Sequence, residues 1–154
     1  LPFTPEQLFN LVVDIEQYPA FLPWCRAARI LSKSSDSFTG ELIISFSHIT
    51  ERYTSRVIPT PPSADHEGSI IVELVSGPFK HLHNYWRFVP HGDGTELHFT
   101  VDFEFKSKLL NSLIGGFFAR ASEKMVAAFL TRAEALYGAK LITTSVGADR
   151  PAAE

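Results

Sequence analysis

The chain has 154 residues, of which 45% are hydrophobic and 20% are charged, and its formal net charge is −3. This size and balance fit one folded domain with a substantial core, and the lack of net positive charge argues against general binding to DNA or other nucleic acid. No apolar run reaches the roughly 18 residues of a transmembrane helix, and the single cysteine, Cys25, has no partner for an internal disulfide.

The first element is predicted from a helix-start pattern. Thr4 supplies an N-cap hydroxyl, Pro5 suits the first helical position, and Gln7 completes a capping box. Apolar residues at helical spacing follow, and Pro19 is expected to stop the helix. The pattern therefore predicts a helix over residues 5–17.

An aromatic corner is predicted next, over residues 19–24. Its two prolines disfavour both a continuing helix and a central strand, so these apolar residues should turn the chain away from the helix. The chain begins at Leu1 rather than Met, and we expect further residues upstream of it in the natural protein.

Between Ala27 and Lys106 the pattern changes to short β-like runs separated by turn residues. In the last run, residues 96–106, apolar and polar residues alternate without a break. Such alternation is typical of an antiparallel sheet with one buried and one wet face. The earlier runs are residues 38–47, 51–58, 69–75 and 82–89.

The run 51–58 leaves the direction of its arginines open. Tyr53 and Val57 alternate with Arg52 and Arg56, and we expect the arginines on the solvent face. If they instead faced inward, a buried guanidinium could hydrogen-bond a carbonyl group of a ligand.

A long C-terminal helix should cover the sheet. Apolar residues from Leu110 to Leu136 recur at helical spacing and Gly138 is a natural stop, which predicts about 30 helical residues. Because the strands are grouped rather than alternating with helices, the class is α+β. We expect one domain over residues 1–138 and a disordered tail over 139–154. A curved sheet and a straight helix cannot touch everywhere, so an apolar space between them is expected.

The block YPAFLPWC, residues 18–25, carries the most specific resemblance in the chain. With residues 2–9, 76–80 and 105–125, it resembles the coenzyme Q-binding START-domain proteins and the bacterial ribosome association toxins. Both belong to the polyketide cyclase and dehydrase superfamily. The resemblance implies a START-like helix-grip fold whose cavity holds a hydrophobic ligand.

For the quinone-binding members, the resemblance implies a non-enzymatic carrier or chaperone of ubiquinone, or a related isoprenoid quinone, that supports respiration. The residues themselves predict no catalytic group and no metal, and no cofactor is expected beyond the bound ligand. A bacterial protein would lie in the cytoplasm with peripheral contact to the inner membrane, and a eukaryotic one at the mitochondrial inner membrane. Aromatic rings could line the ligand cavity or simply fill it. The predicted ligand-binding residues are Tyr18, Phe21, Trp24, Phe46, Phe79, Trp86, Phe99, Phe103, Phe117 and Phe118.

The toxin members imply a second interpretation, a translation inhibitor that binds a ribosomal subunit and blocks subunit association. The overall acidity weighs slightly against it, although a local basic patch of Arg26, Arg29 and Lys33 would suffice. A third interpretation, a polyketide cyclase, lacks an acid–base constellation. His81 and His83 share a strand face without further ligands at zinc-like spacing, so no metal site is predicted.

Overall fold

Six antiparallel strands form one sheet in this computed structural model, which describes residues 1–46, 49–112 and 121–138. Each strand pairs with the next one in the chain, so that the first and last strands lie at the two ends of the sheet order. The predicted antiparallel sheet is confirmed. The strands are β1 (Cys25–Lys33), β2 (Phe38–Phe46), β3 (Ile49–Thr60), β4 (Gly68–Ser76), β5 (Phe79–His91) and β6 (Gly94–Phe105).

The sheet buries one face, as the alternation predicted. On β5 the side chains of Leu82, Trp86 and Phe88 are all buried. On β3 the arginines take the outer face: Arg52 lies 3.7 Å from Glu41, and its side chain is 64% exposed. The sequence left the direction of these arginines open, and the structure turns them outward. An outward guanidinium cannot reach a ligand on the inner face of the sheet.

Two strand boundaries differ from the sequence pattern. β1 was not singled out, because register shifts after Cys25 and Ile30 interrupt its alternation. β3 was expected to stop before Pro59 but continues through it. The pairing of β2 with β3 stops at Val57, so Pro59 pairs only with Ile70 of β4 and lies where β3 is locally an edge.

The first helix, α1 (Pro5–Val13), begins with the predicted capping box. The backbone N–H of Gln7 donates to the Thr4 hydroxyl at 3.1 Å, and the Gln7 side chain accepts from the Thr4 backbone at 3.0 Å. The helix ends at Val13, earlier than predicted, because Asp14 leaves helical geometry with ψ at 72°.

A 3-10 helix, Ile15–Ala20, follows α1 and contains Pro19. The prediction that Pro19 would stop the helical segment was therefore wrong. Ile15 and Tyr18 are three residues apart, the spacing at which side chains share one face of a 3-10 helix, and both are buried. Burial of this pair favours the tighter winding.

The C-terminal helix is described at its two ends. Residues 108–112 are helical, and α2 (Ala121–Ala133) continues into a π-helical turn, Glu134–Gly138. The middle of the predicted helix, residues 113–120, and the predicted tail, residues 139–154, lie outside the described residues. No helix in the described ranges is long and apolar enough to span a membrane.

The main core lies between α1, α2 and the inner face of the sheet. Phe129 of α2 is 1% exposed, and Phe88 of β5 is fully buried. Phe9 of α1 packs edge-on against Phe88, with ring centroids 5.7 Å apart. The predicted α+β architecture, a sheet covered by a C-terminal helix, is confirmed.

Candidate functional site

An apolar cavity lies between the inner face of the sheet, the aromatic corner and α2. The space between its atoms amounts to about 650 Å³, including a part that is open to solvent. Strands β2, β3, β5 and β6 form its floor, and Met125 of α2 closes it from above. Its lining residues are Tyr18, Leu22, Trp24, Cys25, Leu42, Ile44, Tyr53, Phe79, Leu82, Asn84, Phe99, Val101, Phe103 and Met125.

A second space of about 510 Å³ adjoins the first towards α1. Val12, Ser55 and Trp86 belong to the lining of this second space. The sheet and α2 are thus not in close contact along their whole length, as the sequence argument expected. The residues common to both linings are Tyr18, Leu42, Tyr53, Asn84 and Met125.

Most predicted ligand-binding residues that the structure describes reach these spaces. Tyr18, Trp24, Phe79, Phe99 and Phe103 line the larger space, and Trp86 lines the smaller one. Their inward direction follows from strand phase on β5 and β6 and from the aromatic corner. Their role in ligand binding stays a prediction.

Phe21 is placed differently from its expected position at the cavity mouth. Its ring packs edge-on against Tyr18 at 5.9 Å and against Phe129 at 5.3 Å. The Arg132 guanidinium lies 5.2 Å from the centre of the same ring. Phe21 lines neither space, because these neighbours hold it in the core. The side chain of Phe46, and Phe117 and Phe118, lie outside the described residues.

Two polar residues of the lining, Asn84 and Tyr53, were not predicted as site residues. Asn84 occupies an inward position of β5 between Leu82 and Trp86, and its buried Oδ1 has no hydrogen-bond partner among the described residues. A polar residue in the apolar phase of a strand was the signal that could have identified it. The Tyr53 phenol is neutral at physiological pH, as any tyrosine with the usual pKa of about 10 is, and burial raises its pKa further.

The other titratable lining groups are already engaged by the fold. The Tyr18 hydroxyl donates a hydrogen bond to the Val12 carbonyl. Cys25 lies 3.5 Å from the Ala27 carbonyl, and burial raises the pKa of its thiol to about 11. Such a thiol stays protonated at neutral pH and is a poor nucleophile. The described lining can therefore enclose an apolar molecule and offer it the polar groups of Asn84 and Tyr53.

The outer face of the sheet carries the two histidines considered for metal binding. His81 Nε2 lies 3.0 Å from Asp102 Oδ1 on the neighbouring strand, and both His81 and His83 are exposed. Within the described residues, no three His, Cys, Asp or Glu side chains are grouped to hold a metal ion.

Residues 1–130 match the family described as polyketide cyclase / dehydrase and lipid transport. The chain belongs to this family. The ribosome association toxin RatA of Rickettsia prowazekii is 46% identical over 136 residues, which cover 87% of this chain and 91% of the toxin. The mitochondrial coenzyme Q-binding protein COQ10 homolog B of Xenopus laevis is 33% identical over 152 residues, covering 96% of this chain and 61% of that protein.

Solved structures confirm the START-like fold. A START superfamily protein from Mycobacterium smegmatis superposes with a TM-score of 0.71 at 20% identity, covering 88% of this chain and 93% of the other. The Zhui aromatase/cyclase from Streptomyces sp. R1128 gives a TM-score of 0.74 at 17% identity, covering 87% and 88%. At such identities the likeness shows the fold alone, so the cyclase assigns no activity to this chain.

Proposed function

We propose that the protein binds a ribosomal subunit, blocks subunit association and so inhibits translation. The observation that carries this proposal is the 46% identity to the toxin RatA across 91% of that protein. The sequence alone favours quinone binding over ribosome binding. The relatives favour the opposite order, since the toxin RatA is 46% identical to this chain and the coenzyme Q-binding relative 33%.

The end strand β1 offers a surface for ribosomal RNA. We call Arg26, Arg29 and Lys33 the basic strip; all three are exposed along β1. Arg29 lies 2.9 Å from Glu41, and Arg52 approaches the same carboxylate from β3 at 3.7 Å. Two guanidinium groups around one carboxylate leave an excess of positive charge. A local excess of this kind can contact phosphates although the whole chain is acidic.

Sedimentation of mixed ribosomal subunits tests the proposal. We expect added protein to shift intact ribosomes towards free subunits, and its affinity for an isolated subunit to fall steeply as salt rises. The double charge reversal Arg26→Glu with Lys33→Glu should weaken that binding roughly tenfold or more. Lys80→Glu with Lys106→Glu, at the opposite end of the sheet, is the matched control. Unchanged subunit association at an excess of wild-type protein would show that the proposed function is wrong.

A second proposed role is the binding of an isoprenoid quinone as a carrier or chaperone, for which the apolar cavity is the specific support. The identity to the coenzyme Q-binding relative, 33% over 96% of this chain, favours the same ligand class. Neither role requires an enzymatic step, a metal or another cofactor. Both fit a cytoplasmic protein, with peripheral membrane contact in the second role.

Extraction of the purified protein with organic solvent, followed by mass spectrometry, tests this second role. We expect a bound quinone, and quenching of Trp24 fluorescence when quinone is added, because Trp24 lines the cavity. Trp24→Phe is the control that separates its signal from that of Trp86. The absence of both a co-purified quinone and a fluorescence response would exclude quinone binding while leaving the ribosomal proposal intact.

A further inference from the structure

The apolar wall of the cavity contains a polar group to which the described residues give no partner. Asn84 lies on the inner face of β5, opposite Val72 of β4 and Val101 of β6. Its Oδ1 is buried and accepts no hydrogen bond from the described residues. Because Asn84 lines both adjoining spaces, this amide lies at their junction.

The stability of the fold does not explain an asparagine at this position. A buried amide oxygen without a hydrogen bond loses its solvation and gains nothing in return. The residues paired with Asn84 on both neighbouring strands are valines. An apolar side chain would therefore fit the same surroundings without the loss of solvation. An unpaired buried acceptor beside an open space is instead typical of a site that a ligand completes.

We propose that Asn84 is the recognition point of the cavity and that its Oδ1 accepts a hydrogen bond from a hydroxyl group of an otherwise apolar ligand. This inference rests on the second proposed role and narrows its ligand class. A quinone ring carries only acceptors, whereas the reduced quinol carries hydroxyl donors. The cavity should therefore prefer the quinol, or another lipid with a phenol-like head.

Tyr53 provides a second polar contact for such a head. It lines the same two spaces as Asn84, and its ring is held edge-on against Phe79 with centroids 5.3 Å apart. Its phenol is neutral at physiological pH, since even the usual pKa of about 10 lies well above 7 and burial raises it further. A neutral hydroxyl can donate to the oxygen of a ligand whose own proton goes to Asn84. The ligand hydroxyl would thus donate one hydrogen bond to Asn84 and accept another from Tyr53.

Paired probes test the proposal: para-nonylphenol, and its methyl ether, which lacks the donor. Binding to the wild-type protein is followed by tryptophan fluorescence. We expect the phenol to bind about tenfold more tightly than the ether, as one buried hydrogen bond would give. In Asn84→Leu the ratio of the two affinities should fall by about the same tenfold. The change in this ratio is decisive, because any steric effect of the ether methyl group is common to both proteins.

Two further variants make the result interpretable. His83→Leu, on the exposed face of the same strand, should keep the full preference for the phenol. Asn84→Val serves if leucine does not fit, and without ligand either Asn84 variant should unfold at the wild-type temperature or above it. A preference that is absent in the wild type, or that persists undiminished in the Asn84 variants, overturns the proposal. Binding of neither probe also overturns it, whereas the quinone role is judged by its own extraction and quinone titration and the ribosomal role by the subunit assay.

Discussion

The two halves of the apolar interior use the same kinds of residue but differ in how fully those residues pack. In the packed half, Phe129 meets the rings of Tyr18, Phe21 and Trp86, each with centroids 5.3 Å away. In the hollow half, lined by Tyr53, Asn84, Val101 and Phe103 among others, the inward side chains surround a space. Aromatic content alone therefore does not distinguish a core from a cavity; the packing of the side chains does.

The two ends of the interior receive side chains from different elements among the described residues. The rings at the packed end are joined by side chains from α1, the 3-10 helix and α2, which converge over β4 and β5. At the other end a smaller cluster, Phe79, Leu82 and Phe105, is formed by β5 and β6, and Leu110 packs against it from the helical residues 108–112. Between the two clusters the partly buried side chain of Met125 reaches down from α2. Within the described residues, the hollow half thus lies between the packed end and this smaller cluster.

Truncating one phenylalanine in each half should give the largest contrast. Phe129→Ala removes a ring that is 1% exposed, and we expect the free energy of unfolding to fall by about 3–5 kcal/mol. Phe103→Ala removes a ring that borders an existing space, so we expect a loss of only about 1–2 kcal/mol. Urea denaturation measures both. Equal losses would contradict the distinction between the halves.

Enlarging one side chain in each half should again destabilise the protein more in the packed half than in the hollow half, but by a smaller amount. Ala133 is fully buried on α2, and Ala133→Leu should cost about 1–3 kcal/mol through overpacking. Val101→Phe projects into the cavity and should cost less than about 1 kcal/mol while weakening the binding of an apolar probe. Denaturation and probe titration should be run on both variants. Val101→Phe with undiminished probe binding would show that the probe does not occupy this cavity.

The sequence predicted which way side chains point better than it predicted which residues they contact. The capping box placed the start of α1 at Thr4, and strand phase correctly turned Trp86 inward, because both depend on local geometry. The 3-10 helix was not predicted, since it depends on which core contacts Ile15 and Tyr18 make after folding. Whether inward rings would fill the space or line it depends on distances between elements far apart in the chain. Asn84 is the exception, because its polar side chain in an apolar phase is visible without any structure.

The smallest expected effect is at two tyrosines, Tyr18, which is buried, and Tyr53, which is partly buried. Tyr18 packs against Phe129 of the packed half, although it also borders both spaces, and it donates to the Val12 carbonyl, so Tyr18→Phe should cost about 1 kcal/mol at neutral pH. Tyr53→Phe keeps the contact with Phe79 and should cost less. Burial raises the pKa of both phenols above the value of about 10 expected in the unfolded chain.

This shift fixes the sign of the pH dependence. As pH rises past about 10, the unfolded chain loses the tyrosine protons before the folded protein does. Stability is therefore retained below about pH 10 and declines above it. Each Phe variant removes one such group, and urea denaturation over an alkaline series should show a shallower decline than in the wild type. A decline as steep in both variants as in the wild type would mean that these phenols titrate normally, which would contradict their burial.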